Sequence, residues 1–304
     1  MNNRSLEVVK DIYKPYRYTI SGQAHILEST SGNIVVKSKE KDLRSLYQYL
    51  ESRGFSNFPL LLDDSREGIN VFEYVPDTKM PKEQKAMDFM KVVALLHQKT
   101  TYYREVTEDD FKQIYDNVLE QIEYLRYFYN DLYERYFQIV YPSPSEYLLL
   151  RNISKIFSSL DFASQELEVW YQKVQKLSKY RVCQIHNHLS LDHYHKCNKD
   201  CLLSWEKSRQ DTPVLDLLNF YHCSYFDLNF EVLLHEYFRI CPWSEEERKL
   251  FFLVISLPLK FEEKGSEFER VKKIREVLDY VFKTENLIRP YYSVQEEQQQ
   301  KNFN

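Results

Sequence analysis

Glycine is nearly missing from this 304-residue chain, which has 5, at positions 22, 32, 54, 68 and 265. No two of them have the spacing of G-x-x-x-x-G-K-[ST] or G-x-G-x-x-G, so Walker-type and Rossmann phosphate loops are excluded. A basic excess is missing too. The 41 Lys+Arg face 46 Asp+Glu, a net charge of −5, which gives no general attraction to nucleic acid or to an anionic membrane. We expect partners of neither kind. Long apolar runs are absent: Phe251 to Leu259 is far too short to span a bilayer, and the opening MNNRSLEVVKDIYKPY has no apolar signal core. The cysteines (Cys183, Cys197, Cys201, Cys223, Cys241) are odd in number in a chain long enough to bury a core without staples. Reduced thiols and a cytoplasmic location are the expectation.

What is abundant is aromatic: 25 Tyr and 19 Phe. From Tyr16 to Asp77 the pattern is short and β-like. Tyr16–Ile20 and His25–Ser29 lead through the turn Gly32-Asn33 to the β-branched run Ile34-Val-Val-Lys37. Asp42 to Arg53 takes helical spacing and stops at Gly54. The runs Phe58–Leu62 and Ile69–Val75 flank a turn-like Asp63–Gly68. These segments predict a small antiparallel sheet with one helix inserted after its third strand.

Beyond Pro76 the chain reads as helical. Pro81 to Gln98 is one helix. Thr107-Glu-Asp-Asp110 is a capping-box start, followed by Phe111, Ile114, Val118, Ile122, Leu125, Phe128 and Leu132 in steps of three and four. Pro142-Ser-Pro-Ser145 ends that helix, and 147–158 and 165–177 read as two more. The Tyr-rich stretch 113–147 reads as core and near-surface aromatics, not as a stacking platform. Helix resumes past 213 until Arg289-Pro290, and the polar tail 291–304 is expected to be disordered.

Chemistry concentrates in Val182-Cys-Gln-Ile-His-Asn-His-Leu-Ser-Leu-Asp-His-Tyr-His195, then Cys201-Leu-Leu-Ser-Trp205 and Asp211-Thr-Pro-Val-Leu-Asp-Leu217. An apolar strand breaks into a polar loop, returns through a second apolar run and enters a helix. Cys183, His186, His188, His193, His195, Cys197 and Cys201 also bring seven imidazole or thiol groups into nineteen residues. Those ligands would suit Zn²⁺ or Cu, although the spacing matches no standard finger or ribbon. His235-Glu236 fails as H-E-x-x-H because Arg239 stands where a second histidine is needed.

The order of these segments resembles the aminoglycoside-phosphotransferase and choline-kinase branch of the protein-kinase-like fold. That branch has a loop H-x-D-x-x-x-x-N, a strand ending I-D-W, then D-x-P-x-x-D-L. His186 matches its leading histidine, Trp205 its tryptophan, and Asp211, Pro213 and Asp216 the downstream motif. Leu95-Leu96-His97 is similar to its L-x-x-L-H helix end, and Lys37 to its nucleotide-positioning lysine. Leu189-Ser-Leu-Asp-His-Tyr194 and Asp211–Leu217 resemble most the spore-coat kinase-like proteins of Gram-positive bacteria. The resemblance implies an α+β, two-lobed protein-kinase-like fold: an N-lobe of sheet plus one helix over 1–76, a hinge near Glu73 to Asp77, and a helical C-lobe over 77–290 with an insertion at 105–180. Asp211, Asp216 and His186 are expected to serve the loop's structure, not its chemistry.

The departures from that pattern matter more than the matches. His188 stands at the catalytic aspartate, His193 at the metal-binding asparagine, and Ser204 at the Mg²⁺-holding aspartate. Phosphoryl transfer depends on positioning and on Mg²⁺, a hard cation that wants oxygen ligands. Histidine is a poor Mg²⁺ ligand, and serine brings no charge. Glu206, two residues on, is the nearby carboxylate that could substitute, on the same face as Ser204 if the strand continues past Trp205. Lys37 lacks an obvious acidic partner, with Glu40 and Asp42 near the helix start and Leu43 at the best-spaced position. The expectation is a catalytically impaired kinase-like protein acting as scaffold or binding module, with spore-coat proteins as the implied partners and a degraded ATP/Mg site. The alternative is an active ATP-dependent small-molecule phosphotransferase with His188 as base and Lys37 and Glu206 serving nucleotide and metal.

Overall fold

A computed structural model describes residues 3–63, 65 and 68–302. In chain order the elements are α1 (Asn3–Tyr13), β1 (Arg17–Ser21), β2 (Ala24–Glu28), β3 (Ile34–Ser38), α2 (Arg44–Ser52), β4 (Ile69–Glu73), α3 (Lys82–Thr100) and β5 (Tyr102–Glu105). They continue with α4 (Glu108–Phe137), α5 (Pro144–Val174), β6 (Lys179–Ile185), β7 (Tyr194–His195), β8 (Cys201–Leu202), β9 (Arg209–Asp211), α6 (Pro213–Ser224), α7 (Phe230–Ile240), α8 (Glu245–Ile255) and α9 (Glu267–Asn302). Two compact units emerge. One comprises Met1–Thr101, Cys183–Asp216 and His235–Cys241; the other comprises Tyr102–Val182, Leu217–Leu234 and Pro242–Asn304.

In the first unit, β1 to β4 form an antiparallel sheet in sequence order. Alternation puts Ile34 and Val36 of β3 on its buried face, where Ile69 and Val71 of β4 join them. Helix α1, not anticipated from sequence, covers that face with Leu6 and Val9, one turn apart. The run Phe58–Leu62 is not a strand. Pro59 donates no N–H, and the segment meets β4 irregularly through Leu62 N to Val71 O (2.8 Å) and Glu73 N to Leu60 O (3.0 Å). Its Phe58 ring stacks on Tyr47 at 4.2 Å and meets the edge of Trp205 at 6.3 Å. Strand β6 carries the chain from one unit to the other. Its Lys179–Val182 half pairs with β5, and Cys183–Ile185 pairs with β9, both antiparallel.

The second unit is built on the antiparallel pair α4 and α5 with α8 and α9. Thr107 and Asp110 form the expected capping box, with Thr107 N donating to Asp110 Oδ2 at 2.9 Å. Where two helices were expected between 147 and 177, α5 is one unbroken helix. Nothing between Ser158 and Gln165 breaks it, and Ile156, Leu160, Ala163 and Leu167 keep the period and are fully buried, each large side chain contributing ~1.5–3 kcal/mol. Nor does α9 stop at Pro290. That residue gives up one helical hydrogen bond, but Tyr291 packs on Phe252 at 4.7 Å, and Tyr292 packs on Phe162 at 5.2 Å and donates to Glu166 at 2.6 Å. Residues 291–302, expected as a disordered tail, therefore belong to α9, and 303–304 lie outside the described residues. Among the described residues no helix is long and apolar enough to cross a membrane.

Candidate functional site

The loop after β6 has a back and a front, both in the first unit. At the back, fully buried Asp216 accepts from the backbone N–H groups of His186 (2.7 Å) and Asn187 (2.6 Å). Asn187 is in the left-handed region at φ 58°, which asparagine tolerates better than most residues. Asp216 also takes a bond from His97 Nε2 at 3.0 Å. A carboxylate only accepts, so Nε2 carries the proton, and the Tyr237 hydroxyl closes the network at Nδ1, 2.7 Å away. The order in the sequence pointed to His186, Asp216 and His97. Tyr237 was missed, since a lone tyrosine in a helix gives no signal. A second brace, also missed, is Ser208, whose hydroxyl accepts from Gln184 Nε2 and donates to the Ile185 carbonyl, both at 2.7 Å.

His186 itself is buried. Its Nε2 donates to the Leu203 carbonyl at 2.7 Å, its ring meets Trp205 edge-on at 4.9 Å, and its Nδ1 has no partner. Burial pushes its pKa down to about 4, against the opposing pull of Asp216. A neutral ring with a bare Nδ1 is consistent with this arrangement, because a proton there would be a buried unpaired donor. Asp211 is peripheral by comparison: it accepts from Thr212 N at 2.8 Å and Arg209 Nε at 3.0 Å.

At the front, His188, His193, Ser204, Glu206 and Lys37 line one cavity of about 710 Å³. The acidic partner of Lys37 is Glu206, at 3.3 Å, not Glu40 or Asp42, and the same ammonium donates to Ser204 Oγ at 2.9 Å. Strand alternation is not what brings Ser204 and Glu206 together. Strand β8 ends at Leu202, Ser204 turns left-handed (φ 65°, ψ 57°), and a 3₁₀ turn over Trp205–Lys207 swings Glu206 back toward the lysine. His193 donates Nδ1–H to the His188 carbonyl at 2.8 Å, and the two rings lie 4.4 Å apart. His188 is exposed. Desolvation, followed by the neighbouring His193 and Lys207, holds its pKa below the ordinary imidazole value, with Glu206 opposing.

A divalent ion does not suit this donor set. Mg²⁺ needs oxygen ligands, chiefly carboxylates. Here one carboxylate, one hydroxyl and an imidazole share the place with an ammonium bonded to both oxygen donors. Nor do the seven thiols and imidazoles of 183–201 converge. Among the described residues no three His, Cys, Asp or Glu side chains group as metal ligands. His186, His193, His195 and Cys197 are each engaged separately by a backbone carbonyl, of Leu203, His188, Val75 and Lys199, while Cys183 and Cys201 are buried.

No family model and no curated protein matches the sequence. Solved structures do share the fold. An aminoglycoside phosphotransferase from Alicyclobacillus acidocaldarius is similar at a TM-score of 0.66 and 11% identity, over 93% of each chain. A glucosamine kinase is similar at 0.51 and 10%, over 94% of this chain and 82% of that one. An AMP-bound spectinomycin phosphotransferase is similar at 0.50 and 15%, over 93% and 97%. The fold is thus α+β and protein-kinase-like, of the aminoglycoside-phosphotransferase kind, with an N-terminal antiparallel sheet and a mostly helical C-terminal part.

Proposed function

We propose that this chain is a catalytically impaired kinase-like protein whose cavity binds a ligand without transferring phosphate, so that it acts as a binding module or scaffold. The observation that carries the reading is the Lys37–Glu206–Ser204 contact. At the place where phosphoryl transfer needs divalent charge, Glu206 is already paired with the lysine that would otherwise meet a phosphate. His188 and His193 add no carboxylate to the loop. Spore-coat proteins as partners and a lobe boundary near residue 76 belong to the same proposal, supported by sequence resemblance, and a cytoplasmic location is supported by the cysteine content.

A second reading is an active ATP-dependent small-molecule phosphotransferase. Its support is the convergence of His188, Lys37 and Glu206 on one cavity, with His188 biased toward the neutral form that a general base requires. A phosphate-transfer assay with ATP and Mg²⁺ or Mn²⁺, offered hydroxylated amines and amino sugars, separates the two. We expect no transfer above background. Metal-dependent transfer that disappears in His188→Ala would establish the second reading in place of the first.

A further inference from the structure

Building on the cavity as a binding rather than a transfer site, we infer that it takes an uncharged, flat heteroaromatic ligand of nucleoside size and discriminates against the matching triphosphate. Its volume of about 710 Å³ falls within the range of small-molecule pockets. Ile26, Val35, Phe72, Val75 and Leu203 give it apolar walls that suit a ring.

Its charge is wrong for a polyphosphate. The lining holds two cations, Lys37 and Lys207, against four carboxylates, Glu40, Glu73, Asp192 and Glu206, an excess of two negative charges before any histidine is counted. Lys207 is exposed, and the half-buried Lys37 is committed to Glu206 and Ser204. A phosphate chain offers only acceptors and anionic charge, and entering a partly desolvated site without counter-charge is costly. Carboxylates instead accept from hydroxyl and amino groups, which a nucleoside supplies. The backbone adds little for phosphate. Strands β1 and β2 are joined by the two-residue turn Gly22–Gln23, with Ser21 and Ala24 already opposite one another in the ladder. Gly22 takes φ +58° to close it.

The test is calorimetric titration of the full chain with adenosine and ATP, and with guanosine and GTP, in metal-free buffer and again with Mg²⁺, for the wild type and Glu206→Gln. Release of γ-phosphate is followed in parallel in the samples that contain Mg²⁺, which phosphoryl transfer requires. We expect a nucleoside to bind at least about tenfold more tightly than its triphosphate, a gap of about 1.4 kcal/mol, and the gap to narrow in Glu206→Gln, where the lysine is released and one negative charge is lost. If that variant does not fold, Asp192→Asn tests the same charge argument from an exposed position, and the wild-type comparison stands regardless. Failure of both nucleosides to bind, equal or tighter binding of the triphosphates, or an unchanged gap would each overturn the inference, leaving the impaired-kinase reading in place. Release of γ-phosphate would overturn that reading itself, and this inference with it.

Discussion

The back and the front of the loop after β6 use similar chemistry to different ends. At the back, one buried carboxylate, Asp216, satisfies two backbone N–H groups and a histidine that is itself held by Tyr237. At the front, one carboxylate, Glu206, is joined to a lysine and sits beside two histidines that could not share a hard cation. Buried polar groups that are fully paired hold a backbone in place, whereas a lysine paired with a carboxylate inside a cavity is less free to meet an anionic ligand. The chain thus keeps what shapes the loop, and the proposed loss of phosphate transfer rests on the front alone.

The contrast can be broken at the back first. Replacing Asp216 with Ala leaves buried donors on His186, Asn187 and His97 without their acceptor, and should cost ~3–5 kcal/mol in urea unfolding. Asp211→Ala, which removes bonds to Arg209 and Thr212 at a partly exposed position, should cost less than ~1 kcal/mol. Equal losses would mean that the back is not organised around Asp216.

Acid provides the next largest effect. His186 has an ordinary value of 6.5 and is pushed down to about 4 by burial. Between those values the unfolded chain binds a proton that the folded chain does not, so the destabilisation due to His186 grows as pH drops through this window and levels off below about 4. The contribution is on the order of 3 kcal/mol, and the lowered His188 and His222 act in the same direction. Melting temperature followed against pH should show the decline, and His186→Gln should flatten it. A slope unchanged in that variant would remove His186 from the account.

At the front the effect is smaller. A double-mutant cycle of Lys37→Met and Glu206→Gln should give a coupling of about 1–2 kcal/mol, the size of a charge-assisted bond with both side chains mostly shielded. Zero coupling would mean that the pair is not formed in solution and that Lys37 is available to a ligand.

Much of the back was legible in the sequence, because His186, Asp216 and His97 sit in motifs of fixed order. The four strands of the sheet were legible too, from β-branched runs and turn residues. Less local features were not. Whether Glu206 shares a face with Ser204 depended on a left-handed serine and a 3₁₀ turn, neither of which side-chain alternation can announce. The break expected inside α5 and the stop expected at Pro290 both weighted local propensity over packing, and Leu160, Ala163, Tyr291 and Tyr292 show packing winning. Helix α1 was overlooked although Leu6 and Val9 have the spacing of a buried stripe.

Whether the front of the loop gathers a divalent cation is decided by Mn²⁺ titration of the wild-type chain followed by electron paramagnetic resonance. With Glu206 paired to Lys37, Mn²⁺ is expected to keep the spectrum of the free hydrated ion into the millimolar range. Stoichiometric binding that disappears in Glu206→Gln would contradict it.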